Sequence, residues 1–456
     1  MLIKNQKNTL KKIVGLVFFL ILGLIMLSCT FGSSSKSKAE KSKVDVPPIN
    51  VDSLLPLVDP KTLGISESKL NEIDKIVENA IKSRALPGAQ VVAVYDGKMF
   101  YRKSFGTLMY NEDEKVSDDM IYDIASVTKI AGSTLAIMKL QSDGLFSVEN
   151  KLKDYIPEVV GNTEYGEIKL RDMLTHQSGL VPFIPFYQKT MKENKLNEKW
   201  YSTTKKDDYT IEVAKDVWLK KEYIDTIYKH ILSTKLKEKK YVYSDLGYYF
   251  IKKIIEKLTH KSMDEYLNDE IYSKLKLKHI GYNPLSFYPI DKIAPTENDN
   301  DFRKQIVRGY VHDPGAAMLG GVGGHAGLFS NATDLAVIMQ LFLNKGQIGG
   351  IQLLDEKVVD QFTKKQFSGN RRAIGFDRPT DPKANGPTCA LVSNESYGHQ
   401  GFTGTYAWSD PVHKISYVFL SNRVYPSAEN RKIGSLSVRT EIQRVIYEAV
   451  QSRTRN

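Results

Sequence analysis

Apolar residues recur along the chain with two periods, and these periods predict its first elements. Residues 66–85 place leucine, isoleucine and valine at helical spacing, which predicts an amphipathic helix. Two strand-like stretches follow, joined by Asp96-Gly97, a dipeptide that is typical of β-hairpins. The stretch KIAGSTLAIMKLQSDGL at 129–145 has almost no charge in its first three turns. A helix that is apolar nearly all round is expected at the centre of a domain.

The middle of the chain, from about residue 145 to 285, has a mostly helical pattern. The polar segment 187–210 interrupts it, and its pattern predicts neither helix nor strand. A glycine-rich stretch then leads into a helix, for which Ser330 or Asn331 is the expected N-cap and Gly346 the expected end.

The C-terminal part returns to strands. Two apolar stretches flank a turn at 411–414, and the pattern at 436–450 predicts a closing amphipathic helix. A hairpin first, helices in the middle and strands last predict an α/β (α+β) domain. We expect its sheet to be assembled from both ends of the chain, with a helical insertion at about 145–285.

The first 28 residues have the composition of an export signal. Four lysines and no acidic residue precede the apolar run 13–27, which is short for a membrane span of about 20 residues. Cys29 follows Ser28 as in a lipoprotein cleavage box, which predicts a lipid on Cys29 at the new N-terminus. Plain cleavage without lipid and an uncleaved anchor are the alternatives.

The lipid would attach the protein to a membrane of the bacterial cell envelope, on its periplasmic or extracellular face. Residues 29–60 are polar and of low complexity, so we expect a tether that cannot bury a core. The hydrolase domain described below is expected at 61–452.

Charge and composition limit the classes of binding partner and cofactor that the protein is expected to have. Cleavage before Cys29 removes four lysines and lowers the net charge from +11 to +7. The remaining lysines are scattered among acidic residues, which favours a polyanionic wall or an anionic membrane as neighbour rather than nucleic acid. Cys389 is the only other cysteine, so no disulfide is expected within the exported domain. The histidine spacing shows no metal motif, and the glycine-rich stretch lacks the Lys of a phosphate loop, so no cofactor is expected.

One Ser-x-x-Lys sequence differs from the others in its context. The chain contains six, which begin at Ser33, Ser35, Ser66, Ser126, Ser202 and Ser273. Only Ser126 follows a predicted strand and begins a predicted buried helix, on which Ser126 and Lys129 face the same way. A helix N-terminus favours the oxyanion of acyl transfer, and a lysine in apolar surroundings loses its proton more readily. We therefore predict Ser126 as nucleophile and Lys129 as its activating partner.

Two further elements extend this pattern, namely Tyr243-Ser244-Asp245 and His399-Gln400-Gly401. In this order they resemble the active site of the serine penicillin-recognising superfamily, which includes class C β-lactamases, D-Ala-D-Ala carboxypeptidases and related esterases. The resemblance covers about 65–450. It is closest to the serine hydrolase modules that some bacteria carry behind a β-N-acetylglucosaminidase domain, in the stretches YSDLGYYF, VHDPGAAMLGGVGGHAGLFSNATDLA and GHQGFTGTYAWSDP.

The resemblance implies a β-lactamase/transpeptidase-like fold, with a central antiparallel sheet flanked by helices. It also implies an exported serine hydrolase that forms an acyl-enzyme on Ser126, with Tyr243 relaying protons. The backbone N–H groups of Ser126 and Phe402 would form the oxyanion hole. D-Ala-D-Ala-type peptides, some of them peptidoglycan-derived, β-lactams and esters are the implied substrates. A carboxylesterase and a non-catalytic, penicillin- or wall-binding lipoprotein are the alternatives.

Two positions depart from the family pattern. Asp245 stands where the family usually has Asn, and an ionised carboxylate cannot donate a hydrogen bond to a substrate carbonyl. It should pair with Lys129 and favour the ammonium form, which makes Tyr243 the more important proton acceptor. His399 replaces a lysine whose fixed charge would hold a substrate carboxylate. Because histidine titrates near pH 6.5, we expect any carboxylate preference to fade above neutrality.

Overall fold

The structure is a computed structural model that describes residues 51–381, 383 and 386–453. The predicted signal at 1–28, the lipidation site Cys29 and most of the predicted tether lie outside the described residues. The tether was expected to reach residue 60, but Leu55 is fully buried and Val58 N–H donates to Met99 O over 2.9 Å. Packing therefore begins before residue 61. Within the described part of the chain, no helix combines the length and apolarity that a membrane span requires.

A five-stranded antiparallel sheet joins the two ends of the domain, as predicted. Its strands are β1 Gly88–Tyr95, β2 Lys98–Gly106, β3 Tyr397–Gln400, β4 Tyr406–Asp410 and β5 Ile415–Ser421. The order is β3-β4-β5-β1-β2, and β1 pairs with β5 from Ala89 opposite Ser421 to Tyr95 opposite Ile415. The Asp96-Gly97 turn connects β1 to β2, and β3 forms an edge of the sheet.

Helices cover both faces of this sheet. The longer ones are α1 Glu67–Lys82, α2 Leu135–Ser142, α3 Tyr223–Leu232, α4 Leu246–Thr259, α5 Ala332–Leu343, α6 Glu356–Thr363 and α7 Val438–Gln451. Alternate residues of β1 face two different cores, because side chains of a strand point to opposite sides. Val91 packs in the core formed with α1 and α7, whereas Val92 packs in the core formed with α5.

The bounds of two helices can be compared with those predicted from the sequence. The predicted helix at 66–85 is α1, which buries Leu70, Ile73, Val77 and Ala80. The N-cap of α5 is Asn331 rather than Ser330, since its side chain accepts from Asp334 N over 2.8 Å.

Shorter elements complete the fold. The short α-helices are Val51–Leu54, Leu152–Tyr155, Pro157–Val160, Leu170–Leu174, Met263–Leu267, Pro314–Met318 and Lys432–Ser435. A small antiparallel sheet of Tyr122–Asp123, Leu328–Ser330 and Ile280–Tyr282 lies directly before Ser126. Two-stranded pairs form between Asn298–Asp299 and Gln305–Ile306, and between Gln347–Ile348 and Ile351–Gln352.

The insertion is less helical than its pattern indicated. Met191–Lys192 and Lys195–Leu196 form a hairpin. Tyr201–Ser202, Tyr209–Ala214 and Val217–Lys220 form a three-stranded sheet. The hairpin turn Glu193-Asn194 has positive φ at both residues, a geometry that Asn-Gly or Asp-Gly usually marks. The strands at 191–202 are also only two residues long, so no period could develop in the segment 187–210.

Candidate active site

Ser126 lies in a turn that a buried carboxylate holds in place. The strand Tyr122–Asp123 ends directly before it, and Ala125 adopts φ +47°, which is uncommon for a residue with a Cβ. Asp123 Oδ1 accepts from Ala125 N over 2.8 Å, and its Oδ2 accepts from His312 N over 2.6 Å. The chain then continues as a 3-10 turn at Ala125–Val127 and a buried π-helix at Lys129–Thr134, which leads into α2. The predicted buried helix is present, but its first turns are not α-helical.

Lys129 is buried and carries its proton. Its Nζ donates to Ser126 Oγ over 2.9 Å and to His325 O over 3.1 Å, and it forms a 2.7 Å ion pair with Asp245 Oδ1. Burial of this fully enclosed side chain disfavours the ammonium. The charge of Asp245 and the interactions with Asp245 and Tyr243 together outweigh burial and raise the pKa of Lys129. The expected ion pair is therefore present, and Lys129 is a hydrogen-bond donor and positive charge rather than a free base.

Tyr243 contributes the second hydrogen bond to the nucleophile. It lies in the loop before α4 rather than in a strand, and its hydroxyl donates to Ser126 Oγ over 3.0 Å. Lys129 Nζ and Arg372 Cζ lie 5.1 and 5.2 Å from the centre of its ring. Burial raises the pKa of Tyr243, and the charge of Lys129 offsets part of that effect. The resting hydroxyl is therefore neutral, yet two cations stand beside any negative charge that develops on it.

His176 supports the Tyr243 loop from behind. Its Nδ1 accepts from Ser244 N over 3.1 Å, and its ring lies 4.5 Å from the ring of Tyr243. Burial lowers the pKa of His176 well below its usual range, which keeps this nitrogen an acceptor.

His399 is neutral, contrary to the expectation that it titrates near pH 6.5. Its Nδ1 lies 2.8 Å from Gln400 O and its Nε2 lies 3.2 Å from Arg372 Nη1. A carbonyl only accepts and a guanidinium only donates, so Nδ1 carries the hydrogen and Nε2 accepts. Burial, followed by the charge of Arg372, lowers the pKa of His399 to about 3.

Arg372 supplies the fixed charge that the histidine lacks, and the sequence analysis missed it. Arg371 Nε donates to Asp377 Oδ1 over 2.6 Å, and Arg372 Nε lies 3.4 Å from the same oxygen. Asp377 N donates to Gly398 O over 2.8 Å, which attaches this loop to β3. Arg372 belongs to no recognisable motif, and hydrogen bonds of its loop to the edge strand and to Thr175 O hold it at the site.

The two amides expected to form the oxyanion hole are held close together. Thr403 Oγ1 donates to Asp123 O over 2.7 Å and Thr405 Oγ1 donates to Ile124 O over 2.8 Å. These bonds join the segment after β3 to the segment before Ser126. Among the residues that the structure describes, neither Ser126 N–H nor Phe402 N–H has a hydrogen-bond acceptor. Both amides are thus available to a substrate oxygen.

Gly401 is required where these segments meet. A Cβ there would lie 1.9 Å from Thr405 Oγ1 and 2.5 Å from Ile124 O. The second contact is with backbone, which cannot move without displacing Ser126.

Comparison with known proteins agrees with this geometry. The Beta-lactamase family profile matches residues 73–437. The chain belongs to this family. It is 33% identical over 392 residues to the "N-acetylmuramyl-L-alanine amidase" of Bacillus subtilis (strain 168), covering 80% of this chain and 84% of that protein. It is 32% identical over 407 residues to a "Putative D-alanyl-D-alanine carboxypeptidase" of Salmonella gallinarum, covering 83% and 88%.

Solved structures show the same fold at low sequence identity. EstCE1, a hydrolase with promiscuous acyltransferase activity, superposes with a TM-score of 0.61 at 16% identity, over 83% of this chain and 99% of that chain. A class C beta lactamase from Rhodobacter sphaeroides superposes with a TM-score of 0.60 at 18% identity, over 84% and 100%. The β-lactamase/transpeptidase-like fold predicted from the sequence is confirmed.

In this member of the Beta-lactamase family, two clefts meet at Ser126 and Tyr243. The first, which we call the arginine cleft, has a volume of about 620 Å³ and is lined by one carboxylate, Asp377, and by five arginines, Arg371, Arg372, Arg423, Arg431 and Arg439. The second, which we call the acidic cleft, has a volume of about 440 Å³ and aromatic walls, and its carboxylates are Asp245, Glu297, Asp301, Asp313 and Glu429. Phe402, 45% exposed, lines both.

Cys29 lies outside the described residues. Across 51–381, 383 and 386–453, no three His, Cys, Asp or Glu side chains are arranged to hold a metal ion.

Proposed function

We propose that this protein is a serine hydrolase that cleaves amide bonds of cell-wall peptides through an acyl-enzyme on Ser126. One observation carries the proposal. Ser126 Oγ accepts hydrogen bonds from both Lys129 and Tyr243, at 2.9 and 3.0 Å, beside two backbone amides without acceptors. A nucleophile, a proton-handling group and an oxyanion site in one place are the parts that acyl transfer requires.

Acylation requires a proton acceptor other than the Lys129 ammonium. When the Tyr243 hydroxyl turns its hydrogen from Ser126 Oγ toward the amide nitrogen, Ser126 donates to the Tyr243 oxygen. Ser126 Oγ then forms a bond to the substrate carbonyl carbon as its proton passes to that oxygen. Tyr243 gives its own proton to the amide nitrogen as the C–N bond breaks, so no free phenolate is needed. The ammonium of Lys129, held by Asp245, stabilises negative charge on both oxygens during this relay. Water then attacks the ester, passes a proton to Tyr243, and Ser126 recovers one.

The arginine cleft supports a leaving group that carries a carboxylate. Arg372 lies beside His399 at the edge strand, where the family binds such a group, and arginine forms charge-assisted hydrogen bonds to carboxylates. The relatives named for acting on N-acetylmuramyl-L-alanine and D-alanyl-D-alanine support amide substrates of this kind. β-Lactams carry a comparable carboxylate, so we extend the proposal to their acylation of Ser126.

An esterase is the second candidate, and Asp245 is the observation that favours it. Paired with Lys129 at 2.7 Å, this carboxylate offers no donor to the acylamide of a peptide or penicillin. An ester that has no acylamide does not need this hydrogen bond, so it would bind equally well without the donor. The hydrogen-bonded arrangement around Ser126 counts against the non-catalytic alternative.

We also propose that Cys29 carries a lipid that attaches the domain to the cell envelope. The proposal rests on the signal pattern of residues 1–28. Metabolic labelling with a fatty-acid probe should mark the wild-type protein and not Cys29→Ala. Equal labelling of both forms would contradict it, and Cys389→Ala serves as the control.

Turnover of three matched substrates tests the reaction. These are an N-acyl peptide with a free C-terminal carboxylate, its methyl ester at the same position, and a p-nitrophenyl ester. We expect Ser126-dependent cleavage of the amide, at least tenfold faster with the free carboxylate. Cleavage of the p-nitrophenyl ester alone would establish the esterase instead. No Ser126-dependent turnover of any of them would reject the proposal.

A further inference from the structure

Three arginines of the arginine cleft have no carboxylate partner, and this sets them apart from the other two. Arg371 and Arg372 share Asp377. Within the described residues, Arg423, Arg431 and Arg439 form no ion pair. Arg423 is buried and Arg439 is half-buried, whereas Arg431 is exposed. Because buried guanidinium groups are rarely left unpaired, this cluster is suited to bind an anion from outside the chain.

The three arginines line the same cleft, and two of them flank the ring of Phe402. Arg423 Cζ is 4.5 Å and Arg431 Cζ is 5.9 Å from the centre of that ring. Burial, followed by repulsion from Arg431 and Arg439, lowers the pKa of Arg423 to about 10. Burial also lowers the pKa of Arg439. Two neighbouring positive charges therefore repel that of Arg423, and an anion between them would relieve this repulsion.

The three arginine side chains make different contacts. Only two of these side chains keep N–H groups that are free to donate to a ligand. Arg423 is fully engaged with backbone carbonyls, donating through Nε to Phe402 O over 2.8 Å and through Nη1 to Ala428 O and Asn430 O over 2.8 and 2.7 Å. Arg439 has one long contact, from Nη1 to Thr405 O over 3.5 Å. Arg431 is exposed. Arg423 thus supports the Phe402 peptide, while Arg431 and Arg439 can bind a ligand.

Neighbouring carboxylates do not supply the missing charge. Glu297 and Glu429 act on Arg423 at longer range, but they line the acidic cleft. Glu297 is already bound to His312 Nε2 over 2.8 Å and to Ala428 N over 2.9 Å.

We propose that Arg431 and Arg439 form a second anion subsite, which takes a second carboxylate of the leaving group. Arg372 would hold the first carboxylate, so the preferred leaving group is an acidic peptide with two carboxylates rather than a single amino acid. The inference rests on the proposed amide hydrolysis, because that reaction places the leaving group in the arginine cleft. The two unpaired guanidinium groups match a carboxylate in both charge and hydrogen-bonding geometry.

Binding of two dipeptides to inactive Ser126→Ala protein tests the subsite without relying on catalysis. L-Ala-D-Glu has two carboxylates, whereas L-Ala-D-isoglutamine has the same length and one. Calorimetry should show at least about tenfold tighter binding of L-Ala-D-Glu. Adding Arg431→Gln and Arg439→Gln should bring the two affinities together. Arg84→Gln, which removes an exposed arginine outside the cleft, should preserve the difference.

Failure of the subsite and failure of the proposed function give different results. Equal affinities in the Ser126→Ala protein, no binding of either dipeptide, or a difference that survives loss of both arginines would overturn the subsite. Wild-type hydrolysis of N-acetylmuramyl-L-Ala-D-Glu and its isoglutamine counterpart reports on the function separately. If the acidic dipeptide binds more tightly but neither amide is cleaved, the subsite stands and the proposed amide hydrolysis does not.

Discussion

The two clefts that meet at Ser126 differ in the sign of their charge and in how many of their charged groups are paired. In the acidic cleft, Asp313 is bound to His325 over 2.8 Å, Glu297 to His312 over 2.8 Å and Asp245 to Lys129 over 2.7 Å. In the arginine cleft, five guanidinium groups face a single carboxylate.

The difference separates charged groups that stabilise the protein's own loops from charged groups that are available to bind a ligand. The paired carboxylates hold the loops around the nucleophile, and aromatic and aliphatic side chains line much of the rest of that cleft. Its other two carboxylates, Asp301 and Glu429, form no ion pair within the described residues. Of the unpaired arginines, only Arg423 stabilises a loop, by donating to backbone carbonyls. A substrate lying across Ser126 is therefore expected to be anionic on its leaving-group side and to carry no negative charge on its acyl side.

Removing the Tyr243 hydroxyl should have the largest effect on activity. The proton relay serves every substrate, whichever cleft binds the substrate's charged groups. Tyr243→Phe deletes the hydroxyl that lies 3.0 Å from Ser126 Oγ. We expect kcat/KM to fall by about 10³-fold or more for amides. Tyr248→Phe is the matched control, since this buried hydroxyl lies near Thr134 rather than at Ser126. A Tyr243→Phe enzyme with near wild-type activity would show that the relay runs elsewhere.

Removing one charge should weaken the arginine cleft selectively. Arg372→Gln is expected to lower kcat/KM by about 10- to 100-fold for a leaving group with a free carboxylate. The corresponding methyl ester should lose much less, and Arg84→Gln should change neither. Equal losses for both substrates would mean that Arg372 acts only through Tyr243 and His399.

Neutralising a carboxylate of the acidic cleft tests its pairing. Asp245→Asn removes the charge that raises the pKa of Lys129, so burial then lowers that pKa. If the ammonium is needed, the alkaline limb of the pH–rate profile should move to lower pH by about one unit or more. An unchanged profile would contradict the coupling, and higher activity after deprotonation would make neutral Lys129 the better base.

The smallest expected effect is the absence of a pH dependence. With the pKa of His399 at about 3, the imidazole stays neutral throughout the neutral range. The preference for a free carboxylate over its methyl ester should therefore be constant between about pH 5 and pH 8. A preference that fades as the pH rises through about 6.5 would assign carboxylate binding to protonated His399 instead of Arg372.

Much of this fold follows from local signals in the sequence. The Asp96-Gly97 turn, the periodic helix at 66–85 and the strands around 411–414 are each encoded by neighbouring residues. Ser126, Tyr243 and His399 could be found because they belong to spaced motifs. The small sheet at 201–220 could not, since its strands are short and lack a clear period.

The charges of the site depended on long-range contacts. Arg372 is placed beside Tyr243 by contacts between residues distant in the chain, such as Asp377 with Gly398 and Asn370 with Thr175, which no local sequence pattern predicts. The neutral state of His399 follows from its burial beside that arginine. A single substitution seen in the sequence, histidine for lysine, therefore suggested a pH-dependent site where the folded protein has a permanent charge.

The central claim is that Ser126, and no other serine, forms the acyl-enzyme. The direct measurement is to react the protein with a fluorophosphonate or a penicillin and to locate the added mass by peptide mapping. We predict one label, on the peptide containing Ser126, retained in Ser273→Ala and lost in Ser126→Ala. Ser273 is the matched control because it begins another Ser-x-x-Lys sequence. A label on a different residue, or no label with either reagent, would contradict the account.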